Sequence, residues 1–411
     1  MSPKSVVIVG GGLIGLTSAL ALHERGAFVA VVDRAALGSG AARGNAGFLC
    51  PTLLSPLPGP GMLRTAARAL VTRDGPLRIH PRAVPSMLRW SIGFLRAANR
   101  RRFDAGQTAL AALGRDLDDR LTELTALGVD VSRGKDIVVP FHDVTLAERF
   151  HAELQHMGRL GVPGPGELLD GEGVRAVVPA LTDHVRAGFV LPGNRAIDPG
   201  RYVDSLVDAL RARGVALLEH RRITGFDVIG DRVRAVRTDG GSLAADEVVL
   251  AAGAGIRVLG RMLDLRLEVI AGQGYNVALA TSARLGHPVI MEEAHAVATP
   301  FADRIRVGGT VEFAGDAPSF DTRRVDAVLR SMRPFLDVDW ESQQDVWAGS
   351  RPMSADGLPL IGRTRRLANV VIAGGHGMYG VTLAPSTARA VAELIVDGRP
   401  SIDLASFDPD R

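Results

Sequence analysis

With 411 residues, 46% of them hydrophobic and 23% charged, the chain can bury large cores and reads as a globular protein of two lobes. A formal charge of +3 over that length is too weak to imply a nucleic-acid partner. Lys4 and Lys135 are the only lysines and Cys50 the only cysteine. This argues against Schiff-base chemistry, an internal disulfide or a thiolate-held metal, and fits a reducing, cytoplasmic setting.

The N-terminal run "VVIVGGGLIGLTSALAL" is apolar like a leader peptide, but glycines interrupt it and only Lys4 precedes it, so it reads as folded structure. Elsewhere no charge-free window reaches the roughly 18 apolar residues of a membrane span. Residues 6–34 read as strand, glycine turn, helix and strand. Within that frame Gly10, Gly12 and Gly15 form G-x-G-x-x-G, followed by Leu13 and Ile14 at the helix start. The first glycine suits the tight turn, the second a close approach to a pyrophosphate, and the third helix-on-sheet packing. Asp33, with Arg34 after it, ends the second strand where a carboxylate can accept from ribose hydroxyls. Dinucleotide binding is the expectation.

An acid there suits NAD or FAD alike, and the next stretch decides between them. "LGSGAARGNAGFLCP" (37–51) delays the chain in a second small-residue loop, with backbone donors at Ser39, Gly40, Ala41, Gly44, Asn45 and Ala46, then Gly47. Such a loop can cover a pyrophosphate and reach a flavin ring. The stretch resembles the S-x-x-N-A-G segment of the FAD-dependent D-amino acid oxidase, glycine oxidase and sarcosine oxidase superfamily, closest to the bacterial D-amino acid dehydrogenases, although here five residues separate Ser39 from Asn45. The resemblance runs nearly end to end. It implies a two-domain flavoprotein of mixed α/β and α+β character, with a Rossmann-like FAD-binding domain built from separated segments and an antiparallel-sheet substrate domain with helices. The expected ranges are 1–80, 196–262 and 342–411 for the first, and 81–195 and 263–341 for the second.

Residues 81–160 read as mainly helical. The stretch 85–103 is an amphipathic helix with Arg89, Arg96 and Arg100 to Arg102 beside Leu88, Trp90, Phe94 and Leu95. Two readings stand: a peripheral contact with the inner face of a membrane, serving reduction of a quinone, or a domain helix with a solvated arginine face. Residues 188–223 resemble the family's D-P-x-x-Y segment, which implies backbone near Arg222 or Ile223 against the adenine. Residues 232–255 read as a hairpin ending in a small-residue turn, with Ala252 and Gly253 against the cofactor. Residues 266–279 and 295–313 alternate as long antiparallel strands, and the resemblance implies that their sheet forms the roof of a substrate cavity.

The stretch "GSRPMSADGLPLIGRTRRLANVVIAGGHGMYGVTLAPSTARAVAELI" (349–395) is the most specific match. It predicts a strand over 370–373, a glycine turn over 374–377 and a helix from about Val381. Amides at Gly375, Gly377, Met378, Gly380, Val381 and Thr382 would face a reduced flavin at the positive helix end. In this superfamily the arginine of R-P-x-x-x-D-G pairs with a substrate carboxylate, which implies that role for Arg351. A guanidinium binds a carboxylate in two-point fashion and fixes the direction of the α-hydrogen for hydride transfer. Tyr275 is expected to line the pocket or help bind the carboxylate, or else merely to pack, Tyr379 to touch substrate, and His376 to polarise the flavin or cap its turn. His295 reads as a strand residue. Cys50 stands where relatives often carry serine, and the resemblance implies non-covalent FAD, because covalent flavin links in the sarcosine oxidases come from a cysteine elsewhere in the chain. The implied reaction is oxidation of a D-, cyclic or N-alkyl amino acid, passing electrons to a quinone or O2. Two alternatives stay open: a glycine- or sarcosine-type oxidase, and a flavin-binding subunit of a larger complex.

Overall fold

The computed structural model describes residues 3–60, 62, 75–282, 284–315 and 320–411. Residues 1, 2, 61, 63–74, 283 and 316–319 of the expected domain ranges lie outside the described residues. The fold starts from Ser5–Val9, whose four valine and isoleucine residues are all buried. Helix Leu13–His23 crosses over to Phe28–Val32, which pairs parallel with Ser5–Val9 from Ser5↔Phe28 to Val9↔Val32. Parallel neighbours require such a crossover, and helices on the sheet faces account for the unbroken apolar runs.

Distant segments complete this sheet. Glu247–Leu250 lies on the other side of Ser5–Val9, then Val370–Gly374, then the antiparallel edge strand Leu360–Arg363, while Ala216–Leu218 closes the far edge. The C-terminal helix Gly380–Val396 packs on Leu13–His23, so the chain's two ends share one core. Strands Ile223–Ile229, Arg232–Thr238 and Gly241–Ala244 form a small antiparallel sheet, turning at Asp239-Gly240 as the sequence predicts.

The second sheet has ten strands among the described residues. Its spine runs Val346–Ser354, Val269–Ala280, Arg304–Phe313, Ala296–Pro300, Val289–Met291, Asp136–Phe141, Ala187–Ala196 and Phe48–Leu49. Three features differ from the sequence reading. Val346–Ser354 falls within 342–411, yet it pairs along its length with Val269–Ala280, so the crossing between sheets comes after Ser354. Its residues, rich in Gly, Ser and Pro, carry too little apolar alternation to announce the pairing. Phe48–Leu49 and Leu77–Ile79, inside 1–80, also join this sheet. The single helix expected over 85–103 is two, Val84–Ala97 and Arg100–Gly114, because the Asn99 side chain caps the second by accepting from the Arg102 amide at 3.1 Å.

Candidate active site

One cavity of about 1130 Å³ lies between the two sheets. Ordinary small-molecule pockets run to roughly 300–1,000 Å³, so this one has room for a dinucleotide and a substrate together. On the six-stranded side its floor is the first glycine turn. Gly10 holds φ +118°, and a Cβ there would stand 2.4 Å from the Ala251 carbonyl oxygen. A Cβ on Gly15 would meet the Gly10 carbonyl at 1.9 Å, so Gly15 does not line the cavity but seats the helix against the turn. At Gly12 a Cβ would meet nothing within 4 Å, since this residue faces open cavity at the N-terminus of Leu13–His23. That opening at a helix N-terminus is a cradle for phosphate. Leu13, Ile14, Asp33 and Arg34 line the same wall. The Asp33 carboxylate accepts from the Gly11 amide at 2.7 Å and the Ala35 amide at 2.8 Å, which fixes it toward the cavity.

The 39–47 loop is held over this floor by the other sheet. Asn276 donates to the Gly44 carbonyl at 2.6 Å, Arg306 to the Asn45 carbonyl at 2.6 Å, and Thr299 to the Ala46 carbonyl at 2.8 Å. Ser39, Gly40, Ala41, Asn45 and Ala46 line the cavity. Gly47 does not: at φ +81° it packs on the Ile197 carbonyl, and its amide is capped by the Asn45 side chain. Ile223, Ala252 and Gly253 line the cavity at its nucleotide end, beside Arg221 and Arg222.

The second glycine turn closes the cavity from the C-terminal side. The Gly377 amide donates to the Pro352 carbonyl at 2.8 Å, stitching this turn to the strand that carries Arg351. Gly377, Met378, Gly380, Val381 and Thr382 line the cavity at the start of Gly380–Val396, whose first amides lack helical partners. Gly375, at φ +75°, instead packs against Ser354 and Val269 and stays out of the lining. The Thr382 hydroxyl donates to the Phe48 carbonyl and accepts from the Cys50 amide, joining this helix to the loop.

His376 is buried, and its Nε2 bonds the Thr387 hydroxyl at 2.9 Å while Nδ1 has no partner. It therefore braces the helix interior rather than capping its own turn. Burial lowers its pKa to about 3, so the ring is neutral at physiological pH. The Tyr379 hydroxyl donates to the Ser55 carbonyl at 3.0 Å, a tie between the wall at 51–55 and the glycine turn. Tyr275 donates its hydroxyl proton to Glu312, a fully buried carboxylate that also bonds His80 Nε2 at 2.6 Å. Both tyrosines line the cavity with their hydroxyl protons already committed to the protein.

Arg351 is placed with more care than any of these. Its guanidinium lies over Gly274, where a Cβ would stand 2.4 Å from Cζ. Nη1 donates to the Thr310 carbonyl at 3.0 Å, and Arg351 makes no ion pair with the described residues. Half-buried and open to the cavity, the group is lowered by desolvation to about 10, and it remains charged near neutral pH. Thr310 sits at a register shift of its strand with φ +60°, a strained setting for a β-branched residue. Its hydroxyl accepts from the buried Arg324. This bulge turns the carbonyl onto the arginine, and sequence reasoning missed it because nothing local marks it.

Glu312, Arg324, Arg306 and Glu292 were likewise unannounced. Glu292 lines the cavity beside His295, and burial followed by nearby Glu153 raises its pKa against the pull of His295. His295 is not a strand residue but ends the turn before Ala296–Pro300, at φ +48°. The only sequence-level trace of Glu292 is an acid beside a strand end.

Comparisons with known proteins bear on this arrangement. A D-amino acid dehydrogenase of Rhizorhabdus wittichii is 33% identical over 421 residues, covering 99% of each chain. One of Agrobacterium fabrum is 32% identical over 412 residues, covering 97% of each. Among solved structures, glycine oxidase from Bacillus cereus superposes with a TM-score of 0.77 at 19% identity, covering 99% of both chains. L-proline dehydrogenase from P. horikoshii superposes at 0.74 and 19%, covering 100% of this chain and 97% of that one. At such identities the structures speak for the fold. The model of the FAD dependent oxidoreductase (DAO) family matches residues 5–394, a span that takes in both glycine turns and the arginine strand, and the chain belongs to that family.

Proposed function

We propose that this FAD-dependent oxidoreductase oxidises an amino acid at its α-carbon, on a D-configured, cyclic or N-alkyl substrate, giving an imino or 2-oxo acid. The observation that carries the reading is Arg351: a guanidinium enclosed with a ligand-sized cavity, charged, and without an ion-pair partner among the described residues. A buried cation in that state is costly unless an anion joins it. The R. wittichii and A. fabrum relatives carry the name of a D-amino acid dehydrogenase, which agrees with a carboxylate as that anion.

The residues present fit FAD. Gly12 leaves the space and the helix end for a pyrophosphate, Asp33 presents a fixed carboxylate for ribose, and residues 377–382 offer amides at the far end. When bound, FAD supplies the hydride acceptor. Arg351 would hold the substrate carboxylate at two points, with the Thr310 carbonyl and Gly274 fixing the fork. His376, neutral, adds no positive charge near the substrate amine. The Tyr379–Ser55 tie joins the wall at 51–55 to the glycine turn beside the cavity. Burial pushes the Cys50 thiol up to about 12, so no thiolate is available for a covalent link, in keeping with non-covalent FAD.

The test is anaerobic addition of D-alanine, D-proline, sarcosine and glycine to the purified single chain, followed by flavin absorbance. Bleaching by at least one supports the reading. An oxidised spectrum with every member contradicts it and favours a subunit that needs a partner. Peroxide yield against dye reduction then assigns the acceptor as O2 or a quinone-like carrier.

A further inference from the structure

The cavity contains a second charge that the protein itself leaves unanswered. Glu292, in the turn after Val289–Met291, is half-buried and lines the cavity, and its carboxylate makes no hydrogen bond or ion pair with the described residues. Acids elsewhere in this chain are held by arginines, as Asp198 is by Arg304 and Glu247 by Arg363. Burial raises the Glu292 pKa, His295 pulls it down, and Glu153 pushes it up again. Taking a carboxylate out of water is costly unless a cation joins it. Arg351 sets the opposite requirement in the same cavity.

Sheet order holds the two charges apart. The Arg351 guanidinium lies over Gly274 and reaches the Thr310 carbonyl on Arg304–Phe313. From that strand the order runs through Ala296–Pro300 to Val289–Met291. Two strand spacings amount to about 10 Å. A substrate's α-amine is bonded to the carbon beside the carboxylate, so an amino acid gripped by Arg351 keeps that amine at the arginine end. Glu292 therefore faces the end of its side chain. Ile290, two positions before Glu292, lines the cavity together with Leu53, Phe150 and Leu154 of the same apolar cluster. Methylenes can lie on such a wall while a charged head reaches past it. Burial above all, with Glu292 among the smaller causes, pushes the Tyr379 pKa up. The Glu292 charge is thus felt at the glycine turn before Gly380–Val396, away from the nucleotide end.

We propose that Glu292 selects the substrate by its side chain, favouring a basic amino acid whose terminal ammonium or guanidinium pairs with this carboxylate while Arg351 holds the α-carboxylate. The assignment rests on the reading of Arg351 as the carboxylate anchor. A lysine side chain carries its ammonium on a flexible four-carbon stem, and the Glu292 side chain closes part of the same gap. A short or neutral side chain leaves Glu292 without a partner, and an acidic one meets repulsion.

The test compares D-lysine with D-norleucine, the same carbon chain without the ammonium, as anaerobic reductants of the full-length, FAD-loaded protein. D-Lysine should be favoured, as rate constant over dissociation constant, by at least about tenfold, the scale of one hydrogen bond between charged groups. Glu292→Gln should bring the two close together, and Glu292→Lys should turn the preference toward D-glutamate. Binding without turnover gives a second readout. Flavin spectral titration should show ε-aminocaproate, which is lysine lacking its α-amine, binding more tightly than caproate, and Glu292→Gln should remove that difference. D-Norleucine matching D-lysine in the parent would overturn the proposal. So would a Glu292→Gln protein that slows both substrates equally, which would give the carboxylate a role independent of the side chain. Bleaching by D-alanine or D-proline but not by D-lysine would overturn this assignment alone. A flavin left oxidised by every amino acid would remove the underlying reading of Arg351 and this one with it.

Discussion

On the six-stranded side of the cavity, ligand-facing groups come in short contiguous turns; on the ten-stranded side they come singly from distant strands. Gly10, Gly12 and Asp33 sit within one strand–helix–strand unit, and backbone geometry alone gives them their place. Arg351 depends on Gly274, on the bulge at Thr310 and, through Thr310, on Arg324 from helix Thr322–Met332. A cofactor cradle can thus be written in a local code, whereas a substrate anchor is assembled by tertiary contacts.

The largest expected effect lies on the assembled side. Arg351→Ala should cost about 2–5 kcal/mol of transition-state stabilisation, the scale for removing one partner of an enclosed charge pair. Steady-state kcat/KM on the preferred amino acid checks this, with the flavin spectrum as the folding control. Next comes a contrast within the local code. Gly12→Ala, whose Cβ would meet no protein atom within 4 Å, should leave the apoprotein's stability within about 1 kcal/mol, yet weaken FAD binding by at least about tenfold by filling the phosphate cradle. Gly15→Val, aimed at the Gly10 carbonyl, should fail to fold or lose about 3 kcal/mol or more, as overpacking against backbone does. Equal behaviour of the two variants would erase the distinction drawn here between cradle and packing glycine.

Such legibility has a physical source. The G-x-G-x-x-G frame, Asp33, the 374–377 turn and the C-terminal helix were all readable because turns need particular residues at fixed local offsets. Glu312, Thr310 and Arg324 were not, since cross-strand pairing such as Gln273↔Glu312 leaves no trace in either strand alone. Tyr275 and Tyr379 were found as residues, but their hydroxyl partners, Glu312 and Ser55, lie 37 and 324 positions away. The sheet that Val346–Ser354 joins is illegible in its own sequence for the same reason: its partner Val269–Ala280 sets its position.

Two smaller effects refine the account. Burial lowers the His376 pKa to about 3, against about 6.5 in an unfolded chain. Between those values the unfolded chain takes up a proton that the folded one refuses, so stability falls as pH drops through that window, by at most about 1.4 kcal/mol per pH unit. His376→Gln should flatten that part of a Tm-against-pH curve. Tyr379→Phe removes only the tie to Ser55 and should cost about 1 kcal/mol of stability, with a change in kcat/KM below about tenfold. A much larger kinetic loss would place the hydroxyl on the substrate itself.

The central assertion is that a guanidinium on the Val346–Ser354 strand anchors the substrate by its acid group, and it is tested by comparing an amino acid with its own amide. Measured as kcat/KM, the parent enzyme should favour the acid by at least about a hundredfold, and Arg351→Ala should bring the two close together, as loss of one charge-assisted, two-point contact requires. A variant that keeps the parent's full preference for the acid would contradict the account.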